Sequence, residues 1–164
     1  MSKTRKIAFL GLGAALALIL SYVEMLLPPI WSAVPGIKMG LPNIVTVFFL
    51  YRFSAKETVA VSVTRILLAA ILFGNVMTLS YSLAGAGLSL ALMILLKKTN
   101  VFSAVGVSIA GGVAHNLGQI IVAILVMETI QIGYYMIVLA LTGTFAGILV
   151  GIAGTLMLKY IPKK

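Results

Sequence analysis

Ten of the twelve basic residues in this 164-residue chain fall into four small clusters, and the clusters alternate with long apolar runs. Lys3, Arg5 and Lys6 precede the first run. Arg52 and Lys56 divide the second from the third, Lys97 and Lys98 the fourth from the fifth, and Lys159, Lys163 and Lys164 follow the last. Cations beside membrane spans stay on the cytoplasmic side. All ten share one side only if an even number of crossings separates successive clusters. Six spans satisfy that condition and an odd number breaks it. The pattern therefore predicts an all-α, polytopic integral membrane protein, a single six-helix domain over 1–164. Its spans are predicted at about 5–27, 41–51, 56–73, 76–96, 101–127 and 134–160. Both termini are predicted in the cytoplasm, and the location is the cell's inner or plasma membrane. Lys38 is left on the far side and Arg65 within the membrane.

Composition narrows the function further. The chain is 62% hydrophobic and 9% charged, more apolar than a soluble domain of this size needs. It has no cysteine and no aspartate, and its acidic residues are Glu24, Glu57 and Glu128. Disulfides, thiolate metal sites and paired-carboxylate catalysis are thereby excluded or starved of ligands. There is no GxxxxGK[ST] phosphate loop, no GxSxG elbow and no HExxH pair. The net charge of +9 would suit nucleic acid, but its clustering is accounted for by membrane topology, so no nucleic-acid partner is expected. Neither enzymatic activity nor a cofactor is expected, and membrane lipid is an obligatory neighbour. The first apolar run is about 20 residues long and further spans follow it, which predicts a retained helix rather than a cleaved leader.

The informative departures from apolarity lie inside the spans. The run FSAVGVSIAGGVAHNLGQIIVA (102–123) carries His115 and Gln119 four apart on one helix face, with Asn116 on its shoulder. Gly111 and Gly112 leave room beside them for another backbone or a ligand. Such groups must face protein, water or a ligand. They form either an interhelical hydrogen-bond knot or part of a binding site. His115 has no second histidine nearby, which disfavours a metal, while a proton relay stays open. Arg65 lies about 14 Å past Lys56 on a helix, near mid-membrane, where an unpaired arginine costs at least about 2.5–3.5 kcal/mol. It pairs with Glu24, faces a ligand, or does both. Between spans one and two, PPIWSAVPGIKMG (28–40) reads as a folded cover at the membrane surface, carrying Lys38.

Span two is too short to cross alone, at about 16 Å. Its positive N-terminus, with Asn43, is predicted to point into the protein. Glu24, Lys38, Asn43, His115, Asn116 and Gln119 then map to the outer half of the bilayer and Arg65 to its middle. This convergence predicts a substrate pocket opening outward under 28–40. Its cationic bias suggests a small polar or anionic solute, with Glu24 as internal counter-ion. Small residues at Gly11/Ala15 and Gly13/Ala17 offer a close helix contact, either within the chain or with a partner. Gly143, Gly147 and Gly151 mark a packing seam.

Four blocks carry a resemblance: LPPIWSAVPGIKMGLPNI (27–44), Arg65 with LFGN (72–75), SLAGAGLSL (82–90) and FSAVGVSIAGGVAHNLGQ (102–119). Together they resemble the Gx transporter family, also labelled heptaprenyl diphosphate synthase component I. That family is similar to the S components of energy-coupling factor (ECF) transporters. The resemblance implies an S-component-like six-helix bundle that binds a small-molecule solute near the outer face. It also implies a transmembrane coupling subunit and two cytoplasmic ATPases as partners. In S components an alanine-xxx-alanine motif on helix one meets the partner; here Gly11, Gly13, Ala15 and Ala17 stand in its place. The synthase label points to isoprenoid or quinone metabolism, including quinone-linked electron transfer. Polyprenyl diphosphate synthases need aspartate-rich motifs, so a chain without aspartate is at most an accessory to one.

Overall fold

The computed structural model describes residues 2–27 and 40–161. The predicted cover over 28–40, Lys38 included, lies outside the described residues except for Gly40. Among the described residues there are six α-helices and no strand. In chain order they are α1 (Lys3–Leu26), α2 (Leu41–Arg52), α3 (Ala55–Phe73), α4 (Val76–Thr99), α5 (Ala104–Met127) and α6 (Met136–Tyr160). A short 3-10 helix, Ile130–Tyr135, precedes α6 and takes up Tyr134 and Tyr135, which the sequence places in the last span.

Local chemistry sets the boundaries. Ser54 and Glu57 form a reciprocal cap at the start of α3: the Ser54 hydroxyl accepts from the Glu57 N–H at 3.4 Å, and the Glu57 carboxylate accepts from the Ser54 N–H at 2.8 Å. Asn75 and Thr78 repeat the arrangement at α4, each bond 2.8 Å. α4 runs to Thr99, a turn beyond the predicted end, because Lys97 and Lys98 suit the negative end of a helix and Asn100 adopts the left-handed conformation that stops it. Ser103 caps α5, accepting from the Gly106 N–H at 3.1 Å, so that helix begins at Ala104 rather than near 101.

α1, α4, α5 and α6 are long and apolar enough to cross a membrane. α4, α5 and α6 pack nearly backbone to backbone. A Cβ on Gly118 would lie 2.9 Å from the Gly85 Cα on α4, and one on Gly147 would lie 2.6 Å from the Ile109 Cα on α5. Small residues permit such approach, and tight packing is what holds helices together where lipid is as apolar as the side chains.

α1, α2 and α3 join through rings instead. Phe49 of α2 fills the hollow at Gly13 of α1 and stacks on Phe53 at 4.8 Å, and Phe53 meets Phe9 at 6.3 Å. Ala14, Ala17, Val45, Phe48 and Val61 close this cluster.

α2 is the central element. It is about 18 Å long, and all six residues from Val45 to Leu50 are buried. A helix apolar on every face belongs inside a bundle, and α1, α3, α5 and α6 surround this one. Both of its ends are met by charge. The Glu24 carboxylate accepts from the Gly40 and Leu41 N–H groups at its start, and the Lys97 ammonium donates to the Leu50 carbonyl near its finish. Each charge opposes the local sign of the helix dipole. Gly40 holds φ +74°, the left-handed conformation that brings its N–H to Glu24.

The basic clusters gather at one end of the bundle. Lys6 pairs with Glu57, Lys97 reaches the end of α2, and Met157 and Leu158 of α6 pack on the Phe49 cluster. The described cations other than Arg65 therefore share the end opposite Glu24.

Candidate functional site

All six helices contribute to one cavity of about 180 Å³. Of the seven residues predicted to bind a solute, Glu24, Asn43, Arg65, His115, Asn116 and Gln119 line it, and Lys38 lies outside the described residues. Glu24 and Asn43 belong to the end of the cavity where α1 finishes and α2 begins, opposite the basic clusters. Gly143 and Gly147 complete the wall on α6, where their lack of side chains lets α5 come close.

The α2 N-terminus differs from expectation. The sequence leaves it open toward a solute, but the Glu24 carboxylate occupies it, bonded to Gly40 and Leu41. Glu24 also presents its negative charge to Arg65. One carboxylate thus serves the dipole of α2 and the guanidinium of α3 together. Arg65 reaches outward from mid-helix to the Ser21 hydroxyl at 3.5 Å, its one hydrogen bond among the described residues. A guanidinium has five N–H donors, so hydrogen-bonding capacity remains on a side chain that lines the cavity.

His115, Asn116 and Gln119 divide between two neighbours. The His115 ring lies against α4 at Gly85, where an added Cβ would come within 2.9 Å of it. Asn116 turns to α6 and donates its amide N–H to the Leu139 carbonyl at 2.6 Å, beside Gly143. Asn116 is therefore an interhelical tie as well as a lining residue, with its amide oxygen left as an acceptor. Gln119, one turn beyond His115, lines the cavity and makes no hydrogen bond to another described residue.

The four small residues assigned to partner contact separate into two pairs. Gly13 and Ala17 are buried against α2, Gly13 by the Phe49 ring, so that pair is used inside the chain and is corrected here. Gly11 and Ala15 are exposed, and a Cβ on Gly11 would meet nothing within 4 Å.

The cavity also contains polar residues that the candidate set omits. Thr46, Ser62, Ser89 and Ser108, one each from α2, α3, α4 and α5, are buried and line its inner part. Ser62 and Ser89 sit on polar stripes visible in the sequence. Thr46 follows Asn43 by three, and Ser108 precedes Gly112 and His115 by four and seven, so helical spacing was the available signal.

Among the described residues no three His, Cys, Asp or Glu side chains gather to hold a metal ion. The glutamates are dispersed: Glu57 at the basic end, Glu24 at the cavity, Glu128 capping the far end of α5. What the arrangement offers is hydrogen-bonding groups around one cavity, with one cation and one anion among its described side chains.

No curated protein and no solved structure matches the chain. A family model described as heptaprenyl diphosphate synthase component I matches residues 14–157, which takes in part or all of every helix. The chain belongs to the heptaprenyl diphosphate synthase component I family.

Proposed function

We propose that this membrane protein is the solute-binding subunit of an ATP-driven importer of the ECF type, an S-component-like protein rather than an enzyme. The observation that carries this reading is the meeting of polar side chains from five helices, α1 to α5, around one cavity that α6 closes with small residues, in a chain otherwise so apolar. Membrane proteins tolerate buried polar and charged groups chiefly where they serve a ligand or an ion path. With the basic end in the cytoplasm, the chain makes six passes, α2 supplying about half the length of the second from inside the bundle. The cavity then lies in the outer half of the bilayer and takes a small polar or anionic solute. A coupling subunit and two cytoplasmic ATPases reorient the subunit to release the solute inward. Gly11 and Ala15, on the outer face of α1, are the contacts left for that partner.

The test is purification of the tagged full-length chain in mild detergent from its own cells, followed by identification of the proteins that come with it. An ATPase pair is expected in wild type. A chain that never associates with one loses this reading.

The family description favours a second reading, an accessory membrane component of isoprenoid or quinone metabolism, including quinone-linked electron transfer. It predicts a retained quinone, seen by its ultraviolet absorbance and its change on reduction, or a retained flavin, seen by its visible absorbance; the importer reading requires neither.

A further inference from the structure

Hydroxyls on helices in apolar surroundings usually satisfy themselves on their own backbone. Ser21, Thr58, Ser80, Thr144 and Thr155 do so, each donating to the carbonyl four residues back at 2.7–3.0 Å. Thr46, Ser62 and Ser108 do not. They are only 7%, 3% and 3% exposed, yet their hydroxyls make no hydrogen bond to another described residue. Ser89, at 7%, has only the weak acceptor of the Met93 thioether at 3.6 Å. All four line the same cavity from four different helices. Among the described residues the Tyr51 hydroxyl is the side-chain polar atom sealed in without a partner, so these four hydroxyls open onto the cavity they line, where a hydrogen-bonding guest can reach them.

Charge limits the nature of that guest. The described lining holds Arg65 and Glu24, one positive and one negative. Glu24 answers both Arg65 and the start of α2. Among the described side chains that line the cavity, a guest with net charge would meet no surplus opposite charge to offset its desolvation.

We propose that Thr46, Ser62, Ser89 and Ser108 form a floor subsite for the uncharged end of the solute. That end is an amide, carbonyl, hydroxyl or heterocyclic edge, and the whole molecule carries no net charge. Arg65, Asn43 and Gln119 meet its other end. This inference rests on the solute-binding reading above and replaces its anionic option with a neutral or zwitterionic one.

The probe is the fraction of yeast extract below about 1 kDa, passed over anion and cation exchangers to give neutral, anionic and cationic pools. Each pool is added to the purified full-length protein, and thermal unfolding is followed. Binding to the native state raises the melting temperature. The neutral pool is expected to stabilise wild type. The Ser62→Ala/Ser108→Ala variant is expected to need about tenfold more of that pool, as two lost hydrogen bonds imply. Without any pool it should melt at or above the wild-type temperature, because its hydroxyls tie nothing together. A variant that melts lower alone shows that the hydroxyls are structural ties and overturns the subsite. A variant that responds like wild type shows that water fills the floor and overturns it equally. Stabilisation by the anionic pool alone overturns the neutral class and leaves solute binding standing. If no pool stabilises folded wild type, the solute-binding reading itself fails.

Discussion

The two halves of the bundle are held together by different means. α4, α5 and α6 meet through bare glycine backbones: Gly85 against His115, Gly118 against Ala84 and Gly85, Gly147 against Ile109. α1, α2 and α3 meet through aromatic rings and charged side chains: Phe49 in the hollow at Gly13, Lys6 on Glu57, Glu24 on the start of α2. Backbone seams admit little adjustment, because much of the contact is backbone on backbone, as at Gly118 and Gly147, where no rotamer change can relieve it. Rings and long charged side chains can reseat. The difference assigns the glycine half to the fixed wall of the cavity and the aromatic half to the wall that can give way.

The most drastic way to break this contrast is to add bulk to a seam. Gly147→Val places a Cβ 2.6 Å from the Ile109 Cα. It should cost about 3 kcal/mol or more, at the upper end of overpacking, seen as loss of a monodisperse peak in detergent size-exclusion. Wild-type behaviour would show that the seam is compliant. Phe49→Ala tests the other half. It should cost about 3–5 kcal/mol by cavity formation yet leave folded protein at low temperature, read as a large fall in melting temperature. Glu24→Ala removes the carboxylate from a helix start and should cost up to about 2 kcal/mol; Glu24→Gln should recover part of it by thermal melting. Asn116→Ala should cost only about 0.6 kcal/mol, the usual value of an interhelical hydrogen bond in a membrane. A larger loss would mean the tie to Leu139 anchors α6. Gly11→Leu, on open surface, should leave the melting temperature unchanged while Gly13→Leu lowers it. If the two fall alike, the outer face of α1 is packed in a way the fold does not explain.

Much of this molecule was legible before its fold. The basic clusters predicted helices that all start or end at one pole, and the contacts of Lys6 and Lys97 place them there. Helix boundaries moved by a few residues where a cap decided them, as at Asn100 and Ser103. Polar residues inside apolar runs pointed to the cavity wall, because the energetic penalty for such residues is steep enough to make each one conspicuous. The hidden parts were relations between helices distant in sequence. Nothing local tells that Glu24 will cover the start of α2, or that Phe49 will claim Gly13 and leave Gly11 outside. Thr58 and Ser62 share one polar stripe in the sequence, and only the folded chain distinguishes them: Thr58 bonds its own backbone, while Ser62 lines the cavity.

The opposed contacts at the two tips of α2 carry a mechanical consequence. Glu24 belongs to α1 and Lys97 to α4, so the short helix is bolted at top and bottom to different neighbours. Sliding it along its axis strains one catch or the other, whichever way it travels. Turning it about that axis keeps both engaged longer, since each grips a rim of backbone near the centre of rotation. A twist of the central rod, rather than a piston stroke, is the motion this architecture leaves cheapest.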